Sequence, residues 1–316
     1  MRLFLILLAT VIALIGSNIQ PIKGIDIKAS VLDMVIDNAK IYVATDASKV
    51  IVLDLDLKQL QEYKVRKIKD FMGTFNDADI YSIDVLNGNI LFLAQAEEGY
   101  AELFFVQNGK VAKVLDKSLG LYAKAAKFVD MDHAVLTLMS DEVVLYDIKN
   151  HTIVKRAKAG EYFYSAMAID KKRANVAIGD EGGEVIVVDA KTLQRKKLIK
   201  DVNKDKILSI DINEGVIAAG SRADKTLAIY YWKENRHKKI QNPDFFIYVV
   251  GLSPKNRFVV YGDNEKYNLK VLNMNQMQVV YRLVGHKNIV NVVRFADEKT
   301  VFTGSETGEI KKWRLP

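Results

Sequence analysis

The sequence predicts an all-β protein folded as a seven-bladed β-propeller, and three observations carry that prediction. Beyond residue 25 the chain repeats a unit of three short apolar runs separated by polar turns. The third runs close at residues 54, 107, 147, 189, 232, 273 and 314, a spacing of about 41 residues in most units. The runs are rich in Val, Ile, Tyr and Leu and are bounded by turn signals such as Asn87-Gly88, which favours strands over helices. Seven units of this length match the four-stranded blades of a propeller.

The apolar runs place the strands of each unit. The first unit predicts strands at 31–36, 40–45 and 49–54, and the last repeats the pattern from Ile289 to Arg314. A weaker and more charged fourth run follows in most units, as expected of a strand at the outer edge of a blade. The first interval between units is longer than the others, and we expect the extra stretch from Leu57 to Asp79 to bulge or to contain a short helical turn.

The two ends of the repeat predict how the ring closes. The last unit ends at Pro316 without a fourth run, whereas Ile22–Ile27 precedes the first unit and has no place in it. We therefore expect this N-terminal segment to form the missing strand of the last blade, which would leave no open sheet edge.

Residues 1–24 predict an export signal and a short linker, and residues 25–316 a single propeller domain. Met1-Arg2 precedes an uncharged apolar run, Leu3–Gly16, and a polar exit, the pattern of a secretory signal. An uncleaved anchor is the alternative, because charge is absent as far as Ile22, about the length of a spanning helix. A third alternative is that the apolar run forms a buried segment of the fold. The first two place the propeller in the periplasm, free or anchored to the inner membrane.

Composition excludes several classes of function. The chain has no cysteine, which excludes disulfides, Cys-ligated zinc, iron–sulfur clusters and a thiol nucleophile. The formal net charge is +7, but the basic residues are scattered in short runs between strands, such as Lys171-Lys172-Arg173. No nucleic-acid-binding motif accompanies them, so we expect no nucleic-acid partner.

The last unit resembles the tryptophan–aspartate (WD) repeat family. Gly285-His286 stands at its head, and VFTGSETGEIKKW runs from Val301 to Trp313, similar to the Gly-Ser turn and closing Trp of that family. The family's Asp residues are replaced by Thr307 and Arg314. The resemblance implies a buried hydrogen-bond network within the blade, made by His286, Trp313 and a hydroxyl from Thr303 or Ser305.

A narrower resemblance concerns the whole chain. An exported, cysteine-free, lysine-rich propeller with a divergent WD unit at its C-terminus looks like the NapL-type accessory proteins of the periplasmic nitrate reductase system. That resemblance implies a non-catalytic role in assembly or maturation, with a reductase component as partner. An envelope-assembly scaffold unrelated to nitrate respiration is an alternative.

The residues that usually carry chemistry form no recognisable motif. The four histidines lack ligand spacing, and no phosphate-binding or nucleophile motif occurs. The string Asp201–Asp205 starts like a calcium loop but lacks the later Gly and Glu, so we interpret it as a charged loop. We predict no catalytic residue, metal or cofactor. Six aspartates at strand ends are interpreted as turn residues: Asp54, Asp84, Asp147, Asp170, Asp189 and Asp211.

The predicted function is protein binding by a monomeric ring. Aromatic residues near loops are the natural anchors for a partner, and Tyr162, Phe163 and Phe245 precede predicted first strands, near the rim of one face. Trp232 and Trp313 close third strands and are expected in the core. The alternative from another class is a propeller enzyme, which a central channel lined by converging carboxylates, arginine and histidine would favour.

Overall fold

A computed structural model describes residues 16–316, and it confirms the all-β fold with seven blades in a propeller arrangement. Residues 1–15, the greater part of the predicted leader, lie outside the described residues. Two short strands open the described chain, β1 (Ser17–Ile19) and β2 (Lys23–Asp26). Within residues 16–316, no helix has the length and apolar character needed to cross a membrane.

Blades 1 to 3 follow in chain order. Blade 1 consists of β3 (Val31–Asp37), β4 (Lys40–Thr45), β5 (Lys49–Asp54) and β6 (Gln59–Lys64). A hairpin of β7 (Ile68–Lys69) and β8 (Phe75–Asn76) leads to blade 2, which consists of β9 (Ile80–Leu86), β10 (Asn89–Gln95), β11 (Ala101–Gln107) and β12 (Lys110–Leu115). Short 3₁₀ turns lie at Glu97–Gly99 and Lys117–Leu119. Blade 3 consists of β13 (Ala123–Phe128), β14 (His133–Leu138), β15 (Glu142–Asp147) and β16 (Thr152–Lys158).

Blades 4 to 7 complete the ring. Blade 4 consists of β17 (Tyr164–Ile169), β18 (Asn175–Asp180), β19 (Val185–Asp189) and β20 (Arg195–Ile199). Blade 5 consists of β21 (Ile207–Asn213), β22 (Val216–Ser221), β23 (Thr226–Tyr231) and β24 (Arg236–Gln241). Blade 6 consists of β25 (Val250–Leu252), β26 (Phe258–Gly262), β27 (Leu269–Asn273) and β28 (Gln278–Leu283). Blade 7 contains β29 (Val290–Phe295), β30 (Thr300–Ser305) and β31 (Glu309–Arg314).

Burial follows the order of the strands within a blade. The second and third strands are almost wholly buried, as in β22, whereas the fourth strands β16 and β24 are mostly exposed. Apolar side chains of adjacent blades pack together: Val52 of blade 1, for example, shares a cluster with Ile83 and Phe92 of blade 2. The core therefore lies between the blades, which explains why the third runs of the sequence are apolar on both faces.

The N-terminal strands add to the last two blades. Strand β2 pairs antiparallel with β31, with Ile25 opposite Ile310, and so supplies the fourth strand of blade 7 within the predicted segment. Strand β1, in the segment interpreted as linker, pairs parallel with β28 as a fifth strand of blade 6. A Cβ on Gly16 would lie 2.7 Å from the backbone of Val280 and Tyr281, so only glycine fits this close approach.

The stretch between blades 1 and 2 differs from the expectation of a bulge or helical turn. It forms the β7–β8 hairpin, in which Ile68 pairs with Asn76 and Lys69 with Phe75. Gly73, at a φ of +85°, makes the turn between the two strands. Asp70 fixes that turn, because its Oδ1 accepts hydrogen bonds from the backbone N–H groups of Met72 and Thr74, each at 2.9 Å.

The two faces of the ring carry different loops. The first strands of adjacent blades contact each other at six of the seven junctions, as β3 contacts both β9 and β29, so the first strands line the central channel. We use the term entry face for the side of the ring that carries two kinds of loop: the connections from one blade into the first strand of the next, and the turns between second and third strands. We call exit face the opposite side, where the turns between first and second strands and between third and fourth strands lie.

Candidate functional site

Exposed apolar side chains are concentrated on the entry face of blades 1 to 4. Eight of the thirteen exposed large hydrophobic side chains of residues 16–316 lie there, and we call them the apolar arc: Phe71, Met72, Phe75, Leu119, Tyr122, Met139, Tyr162 and Phe163. The other five lie between β1 and β2 or on fourth strands: Ile22, Leu60, Val111, Ile153 and Val154. Monomeric surfaces rarely expose apolar groups together without a binding role, so the arc is a candidate interface.

The β7–β8 hairpin forms one end of the apolar arc. Phe71 and Met72 stand at its tip and are 99% and 78% exposed. The turn that carries them is ordered by Asp70, whose pKa is lowered by the hydrogen bonds it accepts from the backbone of Thr74 and Met72. The Lys69 ammonium lies 5.1 Å from the centre of the Phe75 ring. These local contacts fix the loop while leaving the two tip side chains without packing partners.

The rest of the apolar arc is held by contacts between neighbouring loops. The Tyr122 ring lies 4.6 Å from the Tyr100 ring, and the Tyr122 carbonyl accepts a hydrogen bond of 2.7 Å from the Met139 N–H. The Tyr162 ring packs so closely on Gly182 that a Cβ there would lie 2.4 Å from it. Because the loops are anchored, the arc presents its side chains with little ordering left to be done on binding.

The three aromatics predicted to face a partner all lie on the entry face, but their exposure differs. Tyr162 and Phe163 are 49% and 61% exposed and belong to the apolar arc. Phe245 is half-buried, with its ring 5.9 Å from that of Phe246 and 5.6 Å from that of Tyr248. Phe245 therefore packs mainly within its own connection and presents less surface.

The residues predicted for the blade network meet at the entry side of blade 7. The Trp313 Nε1–H donates to the Thr303 hydroxyl at 2.8 Å, and that hydroxyl lies 2.6 Å from His286 Nε2. His286 is 6% exposed, and burial, together with the nearby Lys311 ammonium, lowers its pKa to about 4. Neutral His286 can then accept a hydrogen bond from the Thr303 hydroxyl at Nε2, while its Nδ1 faces Glu309 Oε2 at 3.3 Å.

The network uses the Thr303 hydroxyl, and it includes Glu309, a partner that the sequence did not reveal. The Ser305 hydroxyl instead accepts a hydrogen bond of 3.1 Å from the Glu309 N–H, so it caps the turn before β31. Glu309 also accepts a 3.0 Å hydrogen bond from the Lys287 N–H and so orders the connection. His286 and Trp313 are thus structural residues of the blade, and Trp313 is completely buried as expected.

Blades 5 and 6 have buried asparagines in the corresponding connections. Asn203 is 2% exposed and donates to the Ser221 hydroxyl at 2.9 Å, while Tyr230 donates to its Oδ1. Asn242 is completely buried and donates to the Asp263 carbonyl at 2.8 Å. The string Asp201–Asp205 is therefore not simply a charged loop, since its middle residue is a core hydrogen-bonding group. Asn203 precedes Ile207 by the same number of residues as His286 precedes Val290, and this matching position is the sequence signal that would have revealed the role of Asn203.

Two of the six aspartates interpreted as turn residues lie on first strands and face the central channel instead, while a third, Asp170, holds the β17–β18 turn and also lines the channel. Asp84 and Asp211 lie within the first strands β9 and β21, and both line a cavity in the channel. Asp84 accepts hydrogen bonds from the Arg173 guanidinium at 2.5 and 3.1 Å and from the Phe128 N–H at 2.8 Å. The apolar pattern around these aspartates placed them on strands, but it could not show which neighbouring blades they meet.

A second cluster of charges crosses the channel beside the first. Asp33 lies 2.8 Å from the Lys127 ammonium and 3.0 Å from the Arg294 guanidinium, and it accepts a hydrogen bond of 3.1 Å from the Ile83 N–H. Burial alone would raise the pKa of Asp33, but the two cations hold it below its ordinary value. This carboxylate is committed to neutralising two cations.

The clusters divide the channel into two cavities. One, of about 340 Å³, opens to the exit face, and the other, of about 140 Å³, opens to the entry face. Both are lined by Lys127, Met167, Ile210 and Arg294, which lie between them. Carboxylates and arginines thus converge in the channel, whereas none of the four histidines lines either cavity. Within residues 16–316, no group of His, Asp and Glu side chains has the arrangement of a metal site.

Comparison with known proteins adds no relative from which a role could be transferred. A scan of protein-family models gives no match to this chain, and a search of curated proteins likewise gives none.

Proposed function

We propose that this chain is a non-catalytic protein-binding scaffold that docks its partner on the apolar arc. The observation that carries the proposal is the concentration of exposed apolar side chains on one face: Phe71, Met72, Phe163 and Met139 are each more than half exposed, in entry-face loops of consecutive blades. Aromatic and methionine side chains are the types enriched in interface cores. The propeller supplies a rigid base on which these loops are held.

The location and partner of the scaffold are part of the same proposal. The apolar Leu3–Gly16 run supports export, which would place the ring in the periplasm, free or held by an N-terminal anchor. The resemblance to NapL-type accessory proteins would make the partner a component of a periplasmic nitrate reductase system. An envelope-assembly partner unrelated to nitrate respiration would use the same surface.

The proposal is tested by photo-crosslinking in cells from chosen positions. A photoreactive phenylalanine analogue at Phe163 or Phe71 should give one defined adduct with a partner protein, which mass spectrometry identifies. The matched control is the same analogue at Val154, which is 53% exposed on a fourth strand, outside the arc. Adducts of the same identity and yield from Val154 and Phe163 would contradict the proposal.

Binding of the identified partner is then measured with purified proteins. We expect the double change Phe71→Ser and Phe163→Ser to weaken the affinity at least roughly tenfold, because truncating an aromatic anchor costs about 2 kcal/mol or more. Val154→Ser should leave the affinity unchanged.

The free chain should sediment as a monomer, and a dimer that the double change dissociates would assign the arc to self-association instead. A strain lacking the gene tests the nitrate reductase link through its reductase activity.

A further inference from the structure

Three charged side chains that line the exit-face cavity take no part in the two ion clusters: Asp170, Lys171 and Asp211. The Asp170 carboxylate is held within its own turn, where it accepts hydrogen bonds from the Ala174 and Asn175 N–H groups and from the Asn175 side-chain amide. Four charged residues occupy corresponding positions on the first strands and line this cavity: Asp84, Lys127, Asp211 and Arg294. Asp84 is paired with Arg173, and both Lys127 and Arg294 are paired with Asp33. No Lys, Arg or His of residues 16–316 lies within 4.0 Å of the Asp211 carboxylate.

The surroundings of Asp211 hold its carboxylate in place without neutralising it. It accepts hydrogen bonds from the Ile212 N–H at 2.9 Å and from the Leu252 N–H of the next blade at 2.8 Å. Burial raises the pKa of Asp211 against the opposing effect of the more distant Arg294 and Lys171. A half-buried carboxylate without a counter-ion carries a desolvation cost, and a bound cation would reduce that cost.

An acceptor without a donor stands two residues beyond Asp211 along β21. Asn213 is 5% exposed and lines the same cavity. Its Nδ2 donates to the Ser253 carbonyl at 3.2 Å and to the Pro254 carbonyl at 2.8 Å, whereas its buried Oδ1 has no donor among residues 16–316. Buried side-chain oxygens are nearly always satisfied, so this wall of the cavity lacks hydrogen-bond donors.

Apart from these polar and charged groups the lining is apolar, and one unpaired cation lies at the mouth of the cavity. Ile169, Leu252 and Phe295 line its sides. Lys171 lies in the turn between β17 and β18, is exposed, lines the cavity and forms no ion pair with residues 16–316. Besides Asp170 and the ion clusters, the cavity thus has the Asp211 carboxylate in its wall, apolar sides and the unpaired Lys171 ammonium at its opening.

We propose that the exit-face cavity binds a small organic zwitterion, a primary amine with a short apolar body and a carboxylate. Its ammonium would donate to the Asp211 carboxylate, its apolar body would lie against Ile169 and Leu252, and its carboxylate would meet the Lys171 ammonium. The volume of about 340 Å³ falls within the range of roughly 300–1,000 Å³ of small-molecule sites. This site lies on the face opposite the apolar arc and does not depend on the proposed docking function.

The test is calorimetric titration of the full chain with three probes of one chain length: 6-aminohexanoate, hexylamine and hexanoate. We expect 6-aminohexanoate to bind most tightly, hexylamine more weakly and hexanoate not at all. Asp211→Asn should weaken 6-aminohexanoate binding roughly tenfold or more, because a charge-assisted hydrogen bond is lost. Lys171→Met should weaken 6-aminohexanoate binding but leave hexylamine binding unchanged.

Matched variants separate the site from general electrostatics. Asp132→Asn removes an exposed exit-face carboxylate, and Lys172→Met removes the exposed neighbour of Lys171; neither residue lines the cavity, so both variants should bind like the wild type. Thermal unfolding confirms that each variant is folded. Absence of binding at millimolar 6-aminohexanoate, or equal binding by Asp211→Asn, would overturn the proposal. Tighter binding of a blocked lysine peptide than of 6-aminohexanoate would assign the site to a partner's side chain and would also overturn it.

Discussion

At the scale of single residues, buried polar groups are the least predictable feature of this protein. Asp180 ends β18, is 1% exposed, and has an Oδ2 without a donor among residues 16–316. Burial raises the pKa of Asp180 to about 6, and the neighbouring Glu184 charge adds to the increase. Glu184 is paired with Lys200 at 2.6 Å, so that lysine does not relieve Asp180.

Asp180→Asn is predicted to stabilise the protein at neutral pH. Because the folded-state pKa is raised, folding carries little penalty below about pH 4, where both states are protonated. The penalty grows between about pH 4 and 6, where only the unfolded state ionises, and is constant above that range. The raised pKa corresponds to about 2 to 3 kcal/mol at pH 7. Urea unfolding between pH 4 and 7 should show the variant gaining that advantage progressively.

Glu181→Gln is the matched control for that prediction. Glu181 lies in the same turn, but its side chain is 45% exposed and pairs with Lys206. Its removal should change the free energy of unfolding by less than about 1 kcal/mol over the same range of pH. Parallel pH profiles for wild type and Asp180→Asn would show that Asp180 does not titrate near pH 6.

At the scale of single elements, β1 and β2 make unequal contributions to the ring. Strand β2 covers the edge of β31, and Ile25 packs against the core cluster that contains Ile310 and Phe302. Strand β1 adds to the outer edge of blade 6, with Ser17 and Asn18 exposed. Strand β2 therefore completes blade 7, whereas β1 extends blade 6, which already has four strands.

Two truncations are predicted to separate these contributions. A chain that starts at Ile22 loses β1 and should be destabilised by roughly 1 kcal/mol or less. A chain that starts at Ile27 also loses β2, which exposes the edge of β31 and removes the packing of Ile25. That loss should cost about 3 kcal/mol or more and promote aggregation.

Denaturant unfolding and sedimentation measure the two effects. The truncation at Ile22 serves as the control for removing the N-terminal segment itself. Equal stability of the two truncated chains would mean that β2 contributes nothing to blade 7.

At the scale of the whole molecule, channel ion pairs connect blades that are not neighbours. Arg173, from blade 4, binds Asp84 of blade 2 and also donates to the Val85 and Phe128 carbonyls, each at 2.8 Å. Asp33, from blade 1, joins Lys127 of blade 3 to Arg294 of blade 7. The channel side chains thus hold the ring together from inside, in addition to the apolar packing between adjacent blades.

Arg173→Met is predicted to be strongly destabilising because it leaves Asp84 buried without a counter-ion. The expected loss is about 3 to 5 kcal/mol in the free energy of unfolding. Asp84→Asn in the same chain should recover part of that loss, since the amide retains an acceptor for the Phe128 N–H and carries no charge. Chemical denaturation of both single variants and the double variant gives the coupling energy.

The surface pair Arg156–Glu142 provides the comparison. Its guanidinium and carboxylate are also in contact, but both side chains are considerably exposed. Arg156→Met should cost less than about 1 kcal/mol because water screens the pair. Additive effects of Arg173→Met and Asp84→Asn would show that the channel pair does not act as a unit.

The sequence by itself determined the seven-bladed fold and the position of most strands, and it narrowed the blade 7 network to His286, Trp313 and a hydroxyl from Thr303 or Ser305. Local sequence specifies these features, because a strand buried between blades must be apolar on both faces and turns require Asn, Gly or Asp at fixed positions. The exposure of Tyr162 and Phe163 near one rim was predictable for the same reason, since both directly precede a first strand.

The tertiary structure alone decided which side chains from different blades meet. The pairing of Asp84 with Arg173 and the unpaired state of Asp211 beside Asn213 depend on contacts far apart in sequence. The β7–β8 hairpin and the parallel β1 also left no clear pattern, because they are short and pack at edges. Local apolar periodicity reports whether a residue is buried, but the partner of a buried charge is set by the closure of the ring.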